Sequence, residues 1–189
     1  MKIRSTLLLL FLSTKLLLAH EVNEAFFTIT ENGNTVEVEA EFPWTMRNAL
    51  IAFNPSLEHA TDKNEFESTF VEYIKTHLIL KDINGNILEY LDFKELENNG
   101  HSHQSNYLIL FRGNKLHEVI NTIMFNVNDN QENYHTIDHN TTGKIFTTNK
   151  QVNNFYVPEY SSFNYWYVLL LLIPLFYIIK RYFILKGST

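Results

Sequence analysis

Histidines supply the residue types best suited to chemistry in this chain, and His20, His101 and His103 are the three that could act together. The apolar stretch before His20 ends in Leu17-Leu18-Ala19, and a cut after Ala19 makes His20 the mature N-terminus. That terminus offers an amine and an imidazole from one residue. With a second histidine, such a pair forms a copper brace, a nitrogen ligand set that suits Cu(II). The competing account is a frayed terminus of arbitrary identity. His101 and His103 stand two apart in the acidic run ELENNGHSHQ. On an extended strand, positions i and i+2 point the same way, so both could reach one copper, nickel or zinc ion, with Glu95 and Glu97 as oxygen ligands. Two histidines without a third fixed ligand fall short of a helical His-Glu-x-x-His, and a solvated polar loop is the competing account. His135 and His139 flank Ile137 and share its face in an unbroken strand. If Ile137 faces the core, no ligand pair forms there.

No enzyme motif accompanies these residues. Gly-x-Ser-x-Gly, phosphate-loop, Gly-x-Gly-x-x-Gly and Asp-x-Asp calcium-loop patterns are all missing from the sequence. Glu37, Glu39 and Glu41 alternate along one strand face, a pattern that marks a solvated face more often than an acid–base pair. The chain has no cysteine, so disulfides, thiolate metal sites and cysteine nucleophiles do not arise. Residues 20–162 hold all 21 acidic groups but only nine of the fifteen basic ones, a formal charge of −12. Phosphate binding needs a basic face, so nucleic acid is excluded as a partner. A non-enzymatic role is expected.

The elements that position these residues read as mainly β. Phe26–Thr30 and Thr35–Phe42 flank Asn32-Gly33-Asn34 as a hairpin, with Val36, Val38, Ala40 and Phe42 on one face. Residues 44–53 are apolar without clear period and suit at most a turn of helix. Asp62 with Glu65 starts a helix of about 63–76 whose stripe is Phe66, Phe70, Tyr73 and Ile74. His77–Lys81 and Ile87–Phe93 flank Asn84-Gly85-Asn86, the strongest hairpin signal in the chain. Tyr107–Phe111, Thr122–Val127, Tyr134–Asp138 and Lys144–Thr148 read as further strands, and Leu116–Ile120 as one helical turn. Phe26, Phe27, Phe42, Trp44, Phe66 and Phe70 read as core. The expected fold is an antiparallel β-sandwich with one inserted helix; a flat α+β sheet with the helix on one face is the alternative.

The two ends of the chain are apolar. Lys2 and Arg4 precede Leu7–Leu12, and Ala19 closes the segment, the arrangement of a secretory signal peptide at 1–19. Tyr165–Leu185 is uncharged as far as Ile179, opens on Tyr165, Trp166 and Tyr167, and carries Lys180 and Arg181 toward its far end. At about 1.5 Å per residue it spans roughly 30 Å, the thickness of a bilayer core, and the basic end marks the cytoplasmic side. The expected organisation is therefore an extracytoplasmic domain over 20–150, a linker over 151–164, a transmembrane helix over 165–185 and a cytoplasmic tail over 186–189. In a Gram-negative cell this is a single-pass type I protein of the inner membrane with its domain in the periplasm.

The order and pattern of AHEVNEAFFTIT, VEVEAEF, FESTFVEYIKTHLIL, KDINGNILEY, YLILFRG and INTIMFNV resembles an uncharacterised family of small exported Bacteroidota-type proteins, over about Ala19 to Lys150. A second, lesser likeness is to the exported N-terminal domain of nickel permeases that serve hydrogenase and urease. The single anchor departs from both. Neither likeness carries an active site, so no residue roles transfer. The resemblance implies a membrane-anchored binding or accessory module of the envelope, working beside other envelope membrane proteins. The alternative is an exported metal-handling domain using His20 and the His101/His103 loop.

Overall fold

The computed structural model describes residues 23–97, 104–138 and 144–158, together with Pro174. The expected signal segment, His20, the His101/His103 loop, His139 and all of the expected membrane span except Pro174 lie outside the described residues. Among the described residues, no helix is long and apolar enough to cross a membrane.

Strands β1 (Glu24–Asn32) and β2 (Thr35–Pro43) pair antiparallel, with Asn32 opposite Thr35 across Gly33-Asn34. Gly33 takes φ +65°, a value L side chains rarely adopt. The alternation expected of β2 holds, with Val36, Val38, Ala40 and Phe42 all buried. Residues 44–53 form more than a turn. Helix α1 (Met46–Phe53) buries Met46, Ala49 and Leu50, so the described residues hold two inserted helices and not one. A 3-10 turn (Pro55–Glu58) leads to helix α2 (Lys63–His77), where the Asp62 side chain accepts from the Asn64 N–H at 2.9 Å. Phe70, Tyr73 and Ile74 are buried as the stripe predicts, with Phe66 packed beside them.

The next segment overturns the hairpin expectation. Asp82 accepts from the N–H groups of Asn84 and Asn86, and Gly85 takes φ +81°, so the tight turn forms. Beyond it, only Lys81 and Ile87 bridge. Strand β3 (Leu78–Asp82) joins one sheet and β4 (Glu89–Leu96) the other. A turn signal fixes the local reversal, but partner choice belongs to the faces that must be buried. The remaining strands are β5 (Gln104–Arg112), β6 (Leu116–Asn121), β7 (Glu132–Ile137), β8 (Ile145–Thr148) and β9 (Asn154–Tyr156). Leu116–Ile120 is thus a strand and not a helical turn. Residues from 151 on, expected to begin the linker, instead supply the strand that closes the smaller sheet.

The larger sheet runs β4-β5-β2-β1-β7-β8 and the smaller β3-β6-β9. All pairs are antiparallel but β1 with β7, which run parallel with Phe26 beside Tyr134 and Phe27 beside His135. The sheet is mixed, against the antiparallel expectation. Strand direction leaves no mark on a period-two pattern, since both kinds of strand alternate sides identically. Phe70 of α2 packs on Phe42, Phe93 and Tyr107, while Phe155 of β9 packs on His135 and Phe146. Helix α2 and the smaller sheet therefore both lie against the inner face of the larger sheet and share one hydrophobic core with it.

Thr122–Val127 is a turn, not the expected strand. Met124 sits at φ +65° with Ile123 and Met124 buried. Tyr73 holds it there: its hydroxyl accepts from the Met124 N–H at 2.8 Å and donates to the Asn126 side-chain Oδ1 at 3.0 Å, and the Asn126 side-chain amide donates to the Ala49 backbone carbonyl. Burial pushes the Tyr73 hydroxyl up to about 12, so it stays protonated and able to donate. Tyr73→Phe strips a buried N–H of its acceptor and should destabilise the fold by about 1–3 kcal/mol. Thermal denaturation of the two proteins checks this.

Candidate binding surface

His135 is the histidine that the fold places most definitely, and it sits at a junction and not in a cleft. It is fully buried on β7 and stacks on Phe27 at 5.0 Å. Its Nδ1–H donates to the Phe146 carbonyl at 3.2 Å, which leaves Nε2 to accept from the Asn121 amide at 2.9 Å. The Asn121 side-chain Oδ1 accepts in turn from the Ile123 N–H and the Asn133 side-chain amide, and Asn133 Oδ1 accepts from the Gln131 side-chain amide. This chain of bonds ties β6 of the smaller sheet to β7 and β8 of the larger. Both imidazole nitrogens are committed, so His135 has none left for a metal. Ile137 packs against the core, on the same face.

Burial lowers the His135 imidazole to about 4, with the Phe146 and Asn133 backbone bonds opposing this. A pKa depressed on folding means the folded state requires the neutral ring. Its contribution is complete above the ordinary value near 6.5 and is lost as pH falls from there toward 4. The difference amounts to about 3 kcal/mol. The stability of the wild-type chain should therefore fall more steeply over that window than that of His135→Gln, measured by urea denaturation at successive pH values.

Ligand geometry for a metal is missing among the described residues, where no three histidine or acidic side chains converge. Glu95 and Glu97 are placed, and they line an open cleft of about 650 Å³ at the edge strand β4 with Asp92, Glu67 and Lys63 on its walls. Phe66, Phe93 and Tyr107 form its aromatic side. Burial, and secondarily the charge of Glu95, raises the Tyr107 hydroxyl above its ordinary value.

The outer face of the larger sheet carries the feature the sequence reading passed over. Adjacent aromatic residues in a strand must point to opposite faces. Phe27 points inward, so Phe26 points out, where it stacks on Tyr134 at 5.4 Å and 18°. Trp44, also expected in the core, is 60% exposed. The strand registers align one row across all six strands of this face: Leu96, Asn106, Glu41, Phe26, Tyr134 and Thr147. Beside it runs a second row from Lys94 through Leu108 and Glu39 to Ile145. A small cleft of about 120 Å³ lies over Leu96, Asn106, Glu41 and Phe26, and a larger one of about 500 Å³ over Phe26, Tyr134 and Ile145 with Glu24 and Glu41 at its rim. Leu96 is common to the edge cleft and the small one, and Phe26, Thr28 and Glu41 are common to the small one and the large. The small cleft and the large one are contiguous on the outer face, whereas Phe93, Glu95 and Tyr107 of the edge cleft share the inner face with Val38 and Phe27. Five interstrand steps of about 4.8 Å make the row about 24 Å long. The Asn106 side-chain oxygen is buried in it without a hydrogen-bond partner.

Set against known proteins, the chain matches no protein-family model and no characterised protein.

Proposed function

We propose that this chain is a membrane-anchored, extracytoplasmic binding or accessory module of the cell envelope, without enzymatic activity. In a Gram-negative cell it is held in the inner membrane by residues 165–185, with its β-rich domain, a sandwich of two unequal sheets, in the periplasm. The observation that carries this reading is the outer face of the larger sheet. Helix α2 and the smaller sheet occupy the inner face, while the outer face sets Leu96, Phe26, Tyr134 and Ile145 among the carboxylates of Glu24, Glu39 and Glu41. Sheets exposed on one side ordinarily present polar residues there, and large apolar side chains gathered on such a face mark a surface for a partner. The buried imidazole of His135 is spent on holding the sheets together.

Metal handling is the second reading, favoured by the placement of Glu95 and Glu97. Both line the edge cleft at the end of β4, where the chain enters the His101–His103 segment. Copper, nickel or zinc held by His20, His101 and His103 predicts one-to-one binding by calorimetry that weakens in His103→Ala.

Because the chain has no cysteine of its own, topology is testable with single introduced thiols. In spheroplasts, Asn84→Cys should react with a membrane-impermeant maleimide, and Ser188→Cys should react only after permeabilisation. Labelling in the reverse order contradicts the proposed orientation.

A further inference from the structure

The outer face of the smaller sheet differs in charge from the rest of the domain, and the chain leaves the domain from it. We propose that this face rests on the surface of the bilayer, with Ile87 and Tyr156 bedded at headgroup level. The proposal deepens the membrane-anchored reading and rests on it.

Strand register builds the face. Lys81 pairs with Glu118 and Glu118 with Tyr156, while Ile87 bridges Lys81 from the other side. Leu80, Val119 and Phe155 alternate with this row and pack into the core, so the row itself points outward. A second outward row, Ile79, Ile120 and Asn154, runs beside it. These two isoleucines are half-buried, whereas Ile87 is 66% exposed and Tyr156 60%. The charges in the two rows neutralise each other. Lys81 Nζ meets one Glu118 oxygen at 2.9 Å, and the Asn154 side-chain amide donates to the other at 2.8 Å. Residues 20–162 carry a formal charge of −12, yet these two rows carry none.

Three observations favour the bilayer as the occupant. Strand β9 ends at Tyr156, within the first row, and the backbone is held one residue further, where the Val157 N–H donates to the His117 carbonyl at 2.8 Å. Residues 159–164 alone then separate Pro158 from Tyr165, where the expected span begins, a reach of about 25 Å at full extension. A tether that short makes the contact intramolecular, so a few apolar side chains suffice to hold it. The chemistry of the face agrees: a tyrosine and an aliphatic side chain about a neutralised ion pair suit the headgroup level, where amphipathic rings collect. The rest of the charge lies elsewhere. Anionic headgroups repel bare carboxylates, and Glu24, Glu39 and Glu41 stand on the outer face of the larger sheet, which points the opposite way. A domain lying on its smaller sheet therefore turns its partner-binding face to the periplasm and leaves the polar side chains of Asn84 and Asn86 in the aqueous headgroup layer.

The test uses the full chain, which has no native cysteine, in nanodiscs of phosphatidylethanolamine and phosphatidylglycerol. A nitrobenzoxadiazole thiol label is placed singly at Ile87→Cys, Tyr156→Cys, Glu39→Cys or Leu172→Cys. The nanodiscs are doped with a lipid whose acyl chain bears a nitroxide quencher, either near the headgroup or at mid-chain. The shallow nitroxide should quench the labels at 87 and 156 at least twofold more than the label at 39, and the mid-chain one should quench the label at 172. Ile87→Asp places a bare carboxylate on the face and should lower the quenching at 156 at least twofold, in protein whose circular dichroism melt is unchanged. Quenching at 172 with none at 87 and 156 overturns the proposal and leaves the anchored reading intact; a face reserved for a protein partner gives that result. Equal quenching at 87, 156 and 39, or unchanged quenching at 156 in Ile87→Asp, overturns it as well. An unquenched label at 172 overturns the anchored reading, and the proposal with it.

Discussion

The hydrogen bond between the Asn121 amide and His135 Nε2 is the constraint on which the rest of the structure turns. It is buried, and it joins the smaller sheet to the larger. A buried polar group left unmatched costs far more than a satisfied one contributes. The sheets therefore cannot slide by one residue without leaving several amides and an imidazole unpaired in an apolar interior. Apolar contacts such as Phe146 on Phe155 supply adhesion but tolerate displacement. The polar chain through Gln131, Asn133, Asn121 and His135 supplies register. With no cysteine and so no disulfide to staple the domain, this buried polar chain is a means of locking the two sheets.

A locked inner face frees the outer one for other use. The residues that cover β1, β7 and β8 from inside are those of the smaller sheet, and those over β2, β4 and β5 come from α2. Leu96, Phe26, Tyr134 and Ile145 stand on the outer face beside Glu24, Glu39 and Glu41, the arrangement on which the proposed binding role rests. The carboxylates keep the same surface soluble and discourage self-association, which an apolar stripe alone would invite.

Much of the local structure was legible in the sequence because the signals were local. The alternation of β2, the stripe of α2 with its Asp62 cap, and the Gly33 and Gly85 turns depend only on neighbours in the chain. What failed depended on distant partners. β3 and β4 flank a good turn but belong to different sheets, and β7 runs parallel to β1. The segment 122–127 has strand composition, yet Tyr73 holds it as a turn from more than forty residues away. The outer-face row was hidden for a similar reason. Leu96, Phe26 and Tyr134 are far apart in sequence and meet only through register, although the Phe26-Phe27 pair did announce that one ring must face outward. The proposed metal ligands His20, His101 and His103 lie outside the described residues, and the carboxylates beside them are placed without converging.

The central claim is that the outer face of the larger sheet is covered by a partner in the envelope. Hydroxyl-radical footprinting measures this at the side chains themselves, comparing native membranes with the purified chain. Phe26 and Tyr134 should be oxidised in the purified chain and protected in the membranes, while Trp44, 60% exposed, oxidises to the same extent in both. Oxidation of Phe26 and Tyr134 to the same extent in both samples would contradict the account.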